Sequence, residues 1–227
     1  MPHRSLKMKC ETPVVCSRSR LRLAPVLVIA ALMAFCPTLM RADTIALSFT
    51  GLGAVLAPGT LGYAFTLSSP VEVTALGVFD GPGVGHAIGD GLVQSHVVTI
   101  WTSTGTQEAQ GTVPSGTSAT LIDGFRYVSI ASVLLPAGSY TIGGSDFQGD
   151  VAFSDASTIT PASGVTYDGS RAALSGGFPP GDDFFNPNSY FGPNFQFTTA
   201  SVPDAGTTFS LLGLSLTGLA FLRRKLC

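Results

Sequence analysis

Cysteine and lysine are missing from the long middle segment of this 227-residue chain, between Asp43 and Val202. The four cysteines all lie outside that segment, at Cys10, Cys16, Cys36 and Cys227. No disulfide can therefore cross-link the middle segment, so its stability must come from a hydrophobic core. About 160 residues are enough for one domain with a sizeable core.

Positive charge is also scarce in the middle segment. Only Arg126 and Arg171 remain there, against 12 Asp and Glu, which gives a net charge of −10. Such a surface repels the phosphates of nucleic acids and anionic membranes, so a nucleic-acid partner is excluded. It favours cations or neutral ligands such as glycans, and it also suits simple solubility outside the cell.

Groups for metal or covalent chemistry are few. His86 and His96 are the only histidines of the segment, and without cysteine they are too few for a zinc site. We expect His96 to begin a strand and bond to the backbone, and His86 to cap an exposed loop. Ser145 follows two glycines but lacks the second glycine of a Gly-x-Ser-x-Gly turn. No catalytic constellation is assembled, so the sequence predicts a protein that is not an enzyme.

The N-terminus has the pattern of a secretory signal peptide over residues 1–42. A basic region is followed by an apolar run from Leu23 to Phe35, and Ala42 offers a small residue before a cleavage point. We predict cleavage by signal peptidase between Ala42 and Asp43. Cys36 raises the alternative of a lipoprotein, but the bulky Phe35 directly before it argues against this.

The C-terminal segment, 201–227, has three parts in order. Val202, Pro203, Asp204, Ala205 and Gly206 form an exposed linker, because proline and glycine suit neither a strand nor a buried helix. Residues 209–222 are apolar and predict a short transmembrane helix, below the roughly 20 residues that a free span requires. The cations that follow favour the cytoplasmic face; they are Arg223, Arg224 and Lys225. An ordinary tail anchor is the alternative.

This tail resembles the C-terminal sorting signals of the PEP-CTERM class, and most closely the variant with Val-Pro-Asp-Ser-Gly. Ala205 stands where that variant usually has serine. The resemblance implies recognition by an exosortase, a membrane cysteine protease of Gram-negative bacteria. It also implies cleavage near the motif after a transient stay in the inner membrane, and delivery to the cell surface, outer membrane or extracellular matrix.

The middle segment, 43–200, shows short β-rich runs divided by turn residues, and no helical stripe. This predicts an all-β domain, an antiparallel β-sandwich of jelly-roll type. The predicted strands are Thr44–Phe49, Tyr63–Leu67, Val71–Phe79, Val97–Thr102, Ala109–Val113, Tyr127–Leu135, Ser139–Ile142 and Phe195–Thr199. We expect a turn at Gly143-Gly144, a looser chain beyond it, and Trp101 at the edge of the core.

From Tyr63 to about Ile142 the pattern resembles a domain of unknown function, of the 4082 type, which recurs in secreted and surface bacterial proteins. The residues that carry the resemblance are Phe65-Thr66, Ser69-Pro70-Val71, 73–80, Asp90-Gly91-Leu92, Ser95-His96-Val97, Ile100-Trp101, 112–117, 124–128 and 135–138. The resemblance implies an extracellular β-sandwich module, with glycan binding as an analogy only.

Two candidate sites follow from residue types. Asp80 and Asp90 flank a glycine-rich loop and offer oxygen ligands to Ca²⁺, although the spacing departs from an EF-hand; a solvated loop is the alternative. An aromatic and amide-rich stretch, 178–197, has the composition of a sugar-binding surface. Its candidate glycan contacts are Phe184, Phe185, Tyr190 and Phe191. The alternative is that its phenylalanines pack over the end of the sandwich.

The sequence therefore predicts an exported, exosortase-processed surface or matrix protein with a non-catalytic β-sandwich. The alternative is a module that binds an exopolysaccharide, with or without Ca²⁺.

Overall fold

The computed structural model of the protein describes residues 42–51, 53–81, 87–181 and 188–200. These residues form twelve β-strands and no helix, and none of them belongs to a helix long and apolar enough to cross a membrane. The predicted tail helix over 209–222, the sorting residues 202–206, the basic cluster 223–225 and all of the signal peptide before Ala42 lie outside the described residues.

Most of the strands follow one another with short connections, and the two long connections are 80–95 and 174–192. They are β1 Thr44–Ile45, β2 Leu47–Gly51, β3 Ala54–Leu67, β4 Val71–Phe79, β5 His96–Thr102, β6 Gln107–Val113, β7 Thr120–Ile122, β8 Phe125–Leu135, β9 Gly138–Phe153, β10 Ala156–Pro161, β11 Val165–Ala173 and β12 Pro193–Thr199.

Two five-stranded sheets make up the sandwich. Sheet I has the order β1-β12-β4-β8-β7, and sheet II has the order β11-β3-β9-β5-β6. A two-stranded ribbon of β10 and β2 accompanies them. Every pairing is antiparallel. The predicted all-β sandwich is confirmed.

The core lies between the two sheets, and β4 shows how the sequence positions it. Val71 and Val73 are buried while Glu72 between them is exposed, but from Ala75 to Phe79 every residue is buried. This is the pattern expected of a central strand whose second half is covered on both faces. β4 indeed lies in the middle of sheet I.

Aromatic rings fill one end of the core. The ring of Phe49 has four aromatic neighbours, with centroids between 4.4 and 5.7 Å away. These neighbours are Phe79, Phe125, Phe153 and Phe191. A cysteine-free domain is thus held by large apolar side chains, and truncating one such ring typically costs about 3–5 kcal/mol.

The prediction of a looser chain beyond Gly143 is wrong. β9 continues through Gly143 and Gly144 to Phe153, and β10 and β11 follow it. Glycine lowers strand propensity, which hid this strand. β9 forms nonetheless because it pairs with β3 on one side and β5 on the other, so backbone hydrogen bonds on both edges compensate.

The first and last described strands lie side by side. Thr44 of β1 faces Phe197 of β12, and β12 itself is enclosed between β1 and β4. One residue beyond β12, the amide of Ala200 still donates to the carbonyl of Pro70 at 3.3 Å. The two ends of the domain therefore meet at one margin of sheet I.

Candidate functional site

The outward face of sheet II carries an open groove of about 180 Å³. Side chains alternate along a strand, so in β5 Val98 and Ile100 enter the core while the residues between and beyond them face the groove. β3, β5, β6 and β9 supply its lining, which includes Thr60, Thr99, Trp101, Gln110, Gly143 and Ser145.

Trp101 forms one wall of this groove. The structure places the half-buried indole on the outer face of the sheet rather than at the edge of the core. Gly143 makes room for it: a Cβ there would lie 3.0 Å from the indole ring and would clash with the Thr60 methyl. The glycine of β9 thus lets a large flat ring lie against the sheet.

A second ring, Phe178, comes from the loop after β11 and meets Trp101 edge to face. The two ring centroids are 5.9 Å apart and the planes are inclined by 63°. Phe178 packs over Gly105 in the β5–β6 turn, where φ is +90° and a Cβ would lie 2.9 Å from the phenyl ring. Glycine is required at this turn both for its φ and for the approach of the ring.

The remaining lining is uncharged: four polar side chains lie beside Val97 and Gly177. The side-chain amide of Gln110 donates to the hydroxyl of Thr99 at 3.0 Å. The hydroxyl of Ser145 accepts from the amide of Val97 at 3.0 Å. Among the residues that the structure describes, none that lines the groove carries an ionisable side chain. The groove thus combines aromatic surface with hydroxyl and amide groups, which is the composition of many small-ligand sites.

Asp80, the first predicted calcium ligand, is buried and paired with Arg126. The guanidinium Nε donates to Asp80 Oδ2 at 2.7 Å, and the amide of Gly91 donates to both carboxylate oxygens at 3.1 and 3.3 Å. The other guanidinium nitrogens donate to backbone carbonyls, namely those of Thr117, Ala119 and Gly89. The arginine therefore neutralises Asp80 and ties three chain segments together.

Asp90, the second predicted ligand, is exposed and accepts from the amide of Ala87 at 3.0 Å. A guanidinium already neutralises the first carboxylate, and the calcium site from Asp80 and Asp90 stays a prediction, because residues 82–86 of its loop lie outside the described residues. Within residues 42–51, 53–81, 87–181 and 188–200, no three His, Cys, Asp or Glu side chains gather as a metal site would need. The sequence analysis did not identify Arg126 as the partner of Asp80. Its position between the aromatic residues Phe125 and Tyr127 indicates a buried arginine, which needs a buried acid to pair with.

His96 begins β5 and is fully buried. Its Nδ1 donates to the carbonyl of Ser145 at 2.6 Å, as the sequence predicted, and its Nε2 lies 2.9 Å from Asp150 Oδ2. The ring also stacks on Phe147 with centroids 4.9 Å apart. The imidazole thus links the backbone carbonyl of Ser145 to the carboxylate of Asp150.

Asp150 is held by several donors. Burial raises the pKa of its carboxyl, but the hydrogen bond from His96 and those from the amides of Val93 and Gln94 outweigh burial and lower the pKa below its ordinary value. The carboxylate thereby fixes the 93–95 connection to β9. This is a structural role.

Ser145, His96 and Asp150 are close together but do not form a nucleophilic triad. The carbonyl of Ser145, not its hydroxyl, meets the imidazole. Its hydroxyl accepts from the amide of Val97 instead. A triad needs the imidazole to accept the serine proton, and this geometry does not provide that contact.

The aromatic stretch 178–197 is divided between core and groove. Phe191, Phe195 and Phe197 are buried, so the predicted glycan contact at Phe191 is wrong, because its ring is enclosed in the core. Tyr190 is half-buried, packs against the core and has a φ of +69°. Phe184 and Phe185 lie outside the described residues, as does His86. Among the described residues of the stretch, Phe178 is the ring that contacts Trp101.

Residues 201–226 match the family model for the VPDSG-CTERM motif. The predicted PEP-CTERM-like sorting signal is confirmed. A VPDSG-CTERM motif supports export and a position at the cell surface of a bacterium. No curated protein matches the chain.

One solved structure that matches in part is described as the structure of a family 35 carbohydrate binding module from an environmental isolate. The identity is 15%, the match covers 56% of this chain and 90% of that chain, and the TM-score is 0.30. A likeness of this size carries over neither a ligand nor a binding site to this chain.

Proposed function

We propose that this is an exported surface or extracellular-matrix protein of a Gram-negative bacterium, with a non-catalytic β-sandwich over residues 43–200. Signal peptidase cleaves between Ala42 and Asp43, and an exosortase cleaves within 202–206. The apolar segment 209–222 holds the chain in the inner membrane until the second cleavage, with the cations 223–225 on the cytoplasmic side.

The observation that carries this proposal is the position of the VPDSG-CTERM motif relative to the fold. The match begins at residue 201, and β12 ends at Thr199. A cut within 202–206 leaves every described strand and hydrogen bond of the sandwich in place. The same cut, with removal of 1–42, takes away all four cysteines and ten of the 12 Lys and Arg. The released domain is free of thiols and carries a net charge of −10.

Mass spectrometry of the protein from its own host tests the proposal. We expect an N-terminus at Asp43 and a C-terminus within 202–206. Asp204→Ala should slow the second cut, so that cells accumulate a membrane-bound form that retains Cys227. Glu108→Ala, which removes an exposed acid from β6, is the matched control and should be processed normally. A mature wild-type protein that still ends at Cys227 would show that an exosortase does not cleave it.

A second candidate function is carbohydrate binding. The observation that favours it is the groove on sheet II, where Trp101, with Phe178 packed against it, lies beside hydroxyl and amide groups. It is compatible with the first proposal, since a surface protein can also hold a polysaccharide.

A further inference from the structure

We infer that the groove between Trp101 and Ser145 on sheet II is a binding site for one pyranose unit of a neutral polysaccharide. This inference rests on the carbohydrate-binding proposal and assigns it a place and a ligand class. Four properties of the groove carry it: its rings, its polar groups, its lack of charge and its size.

The indole of Trp101 lies outside the core, on the outer face of sheet II. Val98 and Ile100 fill the core side of β5 and are both fully buried, while the indole lies on the opposite face. Gly143 and Gly105 leave the space that Trp101 and Phe178 occupy. The indole, packed against Phe178 at 63° on the outside of the sheet, offers the apolar surface on which the C–H face of a sugar stacks.

The polar groups lie on neighbouring strands of the same face. Thr60, Thr99, Gln110 and Ser145 line the groove. Hydroxyls both donate and accept, and an amide offers a donor and an acceptor side by side. Sugar hydroxyls need this mixture, so a ring seated on Trp101 meets suitable partners around its rim.

The charge distribution selects a neutral ligand. In the described part of the chain no ionisable side chain lines the groove, and the domain around it has a net charge of −10. A uronate or sulfated chain would meet repulsion without any cation to offset it. A cationic ligand would find no carboxylate within the groove to pair with.

The size fits a single sugar unit. The groove holds about 180 Å³, which is less than the roughly 300–1,000 Å³ of pockets for drug-sized ligands. Because the groove is open to solvent along the sheet face, the flanking units of a chain can leave it at either end. We therefore expect recognition of one unit within a chain.

Tryptophan fluorescence offers a direct test, because Trp101 is the only tryptophan of the chain. The mature protein, purified from its host, is titrated with neutral gluco-, manno-, galacto- and xylo-oligosaccharides and with a polyuronate. We expect a saturable change in emission with at least one neutral oligosaccharide and none with the polyuronate. An equal response to the polyuronate would overturn the neutral ligand class.

Variants then locate the site by affinity electrophoresis in gels that contain each polysaccharide. Trp101→Ala should weaken binding by about tenfold or more, and Phe178→Ala by a smaller factor. Leu134→Ala is the control, since Leu134 is 57% exposed on β8 of the other sheet. Melting curves establish that each variant is folded, and Trp101→Phe, which keeps a ring, should recover part of the affinity.

The outcomes separate the site from the function. Binding that Trp101→Ala and Phe178→Ala leave unchanged would remove this site and leave the carbohydrate-binding proposal standing. Absence of binding to every glycan, with no change in tryptophan emission, would remove the carbohydrate-binding proposal itself. Neither result touches the export route, which the protein's termini test separately.

Discussion

Arg126 is one of only two cations in the middle segment, and it is buried in sheet I. Its guanidinium donates hydrogen bonds to Asp80 and to three backbone carbonyls. Without it, the buried carboxylate of Asp80 would keep only the amide of Gly91 and would lose its counter-charge, and three carbonyls would lose a donor. A buried charge left alone is far more costly than the pair is favourable.

We expect Arg126→Met to lower the free energy of unfolding by about 3–5 kcal/mol, because it leaves the Asp80 carboxylate buried and unpaired. The double variant Asp80→Asn/Arg126→Met should recover part of this loss. Urea unfolding followed by circular dichroism measures both. Arg171→Met is the control with the domain's other cation and should cost about 1 kcal/mol or less. Equal losses for the two arginines would contradict the assigned role.

Asp150 predicts how stability depends on pH. Its pKa is lower in the folded protein than in the unfolded chain, so the unfolded state binds more protons on acidification. The carboxylate therefore stabilises the fold above its ordinary pKa of about 4, and this contribution is lost as the pH falls through the folded value.

Unfolding midpoints in urea at pH 7 and pH 3 test this. The decrease in the free energy of unfolding between pH 7 and pH 3 should be smaller in Asp150→Asn than in the wild type, because the variant has no carboxyl to protonate at that position. Glu72→Gln changes an exposed acid on β4 and should behave like the wild type. If Asp150→Asn loses as much stability on acidification as the wild type does, Asp150 has no part in the pH dependence.

Among the elements, β9 is where sequence and structure differ most. Gly143 and Gly144 were predicted to end a strand, yet each has a packing role on its own face of β9. A Cβ on Gly143 would meet Trp101, and one on Gly144 would meet Phe147 in the core. Only the neighbouring strands reveal this, because no local pattern distinguishes a glycine in a turn from one beneath a ring.

Gly143→Ala should therefore disturb the groove without a strained φ. The added methyl meets Trp101 and Thr60, so we expect a shift in tryptophan emission and a loss of about 1–3 kcal/mol in the free energy of unfolding. Gly181→Ala is the control, since a Cβ there would have no neighbour within 4 Å among the described residues. Unchanged emission in Gly143→Ala would mean that Trp101 does not lie against this glycine.

Strands with clear alternation could be predicted well, and the bounds of β4 are those expected. β10 and β11 were missed because polar and small residues fill most of their positions, so little apolar alternation marks their faces. The groove was missed for a different reason. Its walls come from strands and a loop far apart in sequence, and Phe178 reaches Trp101 only because the loop after β11 folds over the β5–β6 turn.

At the scale of the whole molecule, the two ends of the sequence differ from the middle segment in charge and in cysteine content. Cations and cysteines are concentrated in the two ends, and the sandwich between them is acidic and without thiols. The charge count therefore says more about the ligand than about the fold, because a domain of net charge −10 disfavours anionic partners wherever they bind.

The pairing of β1 with β12 bears on the order of events during export. Thr44 and Phe197 are partners across the sheet, although roughly 150 residues separate them, and such distant pairings form late in folding. In a chain that crosses a membrane from its N-terminus onward, β1 cannot pair with β12 until β12 has also crossed. Sheet I is then completed by the very stretch that precedes the sorting motif. Sheet I therefore stays incomplete during most of translocation, and we expect it to be completed only when the sorting motif reaches the membrane.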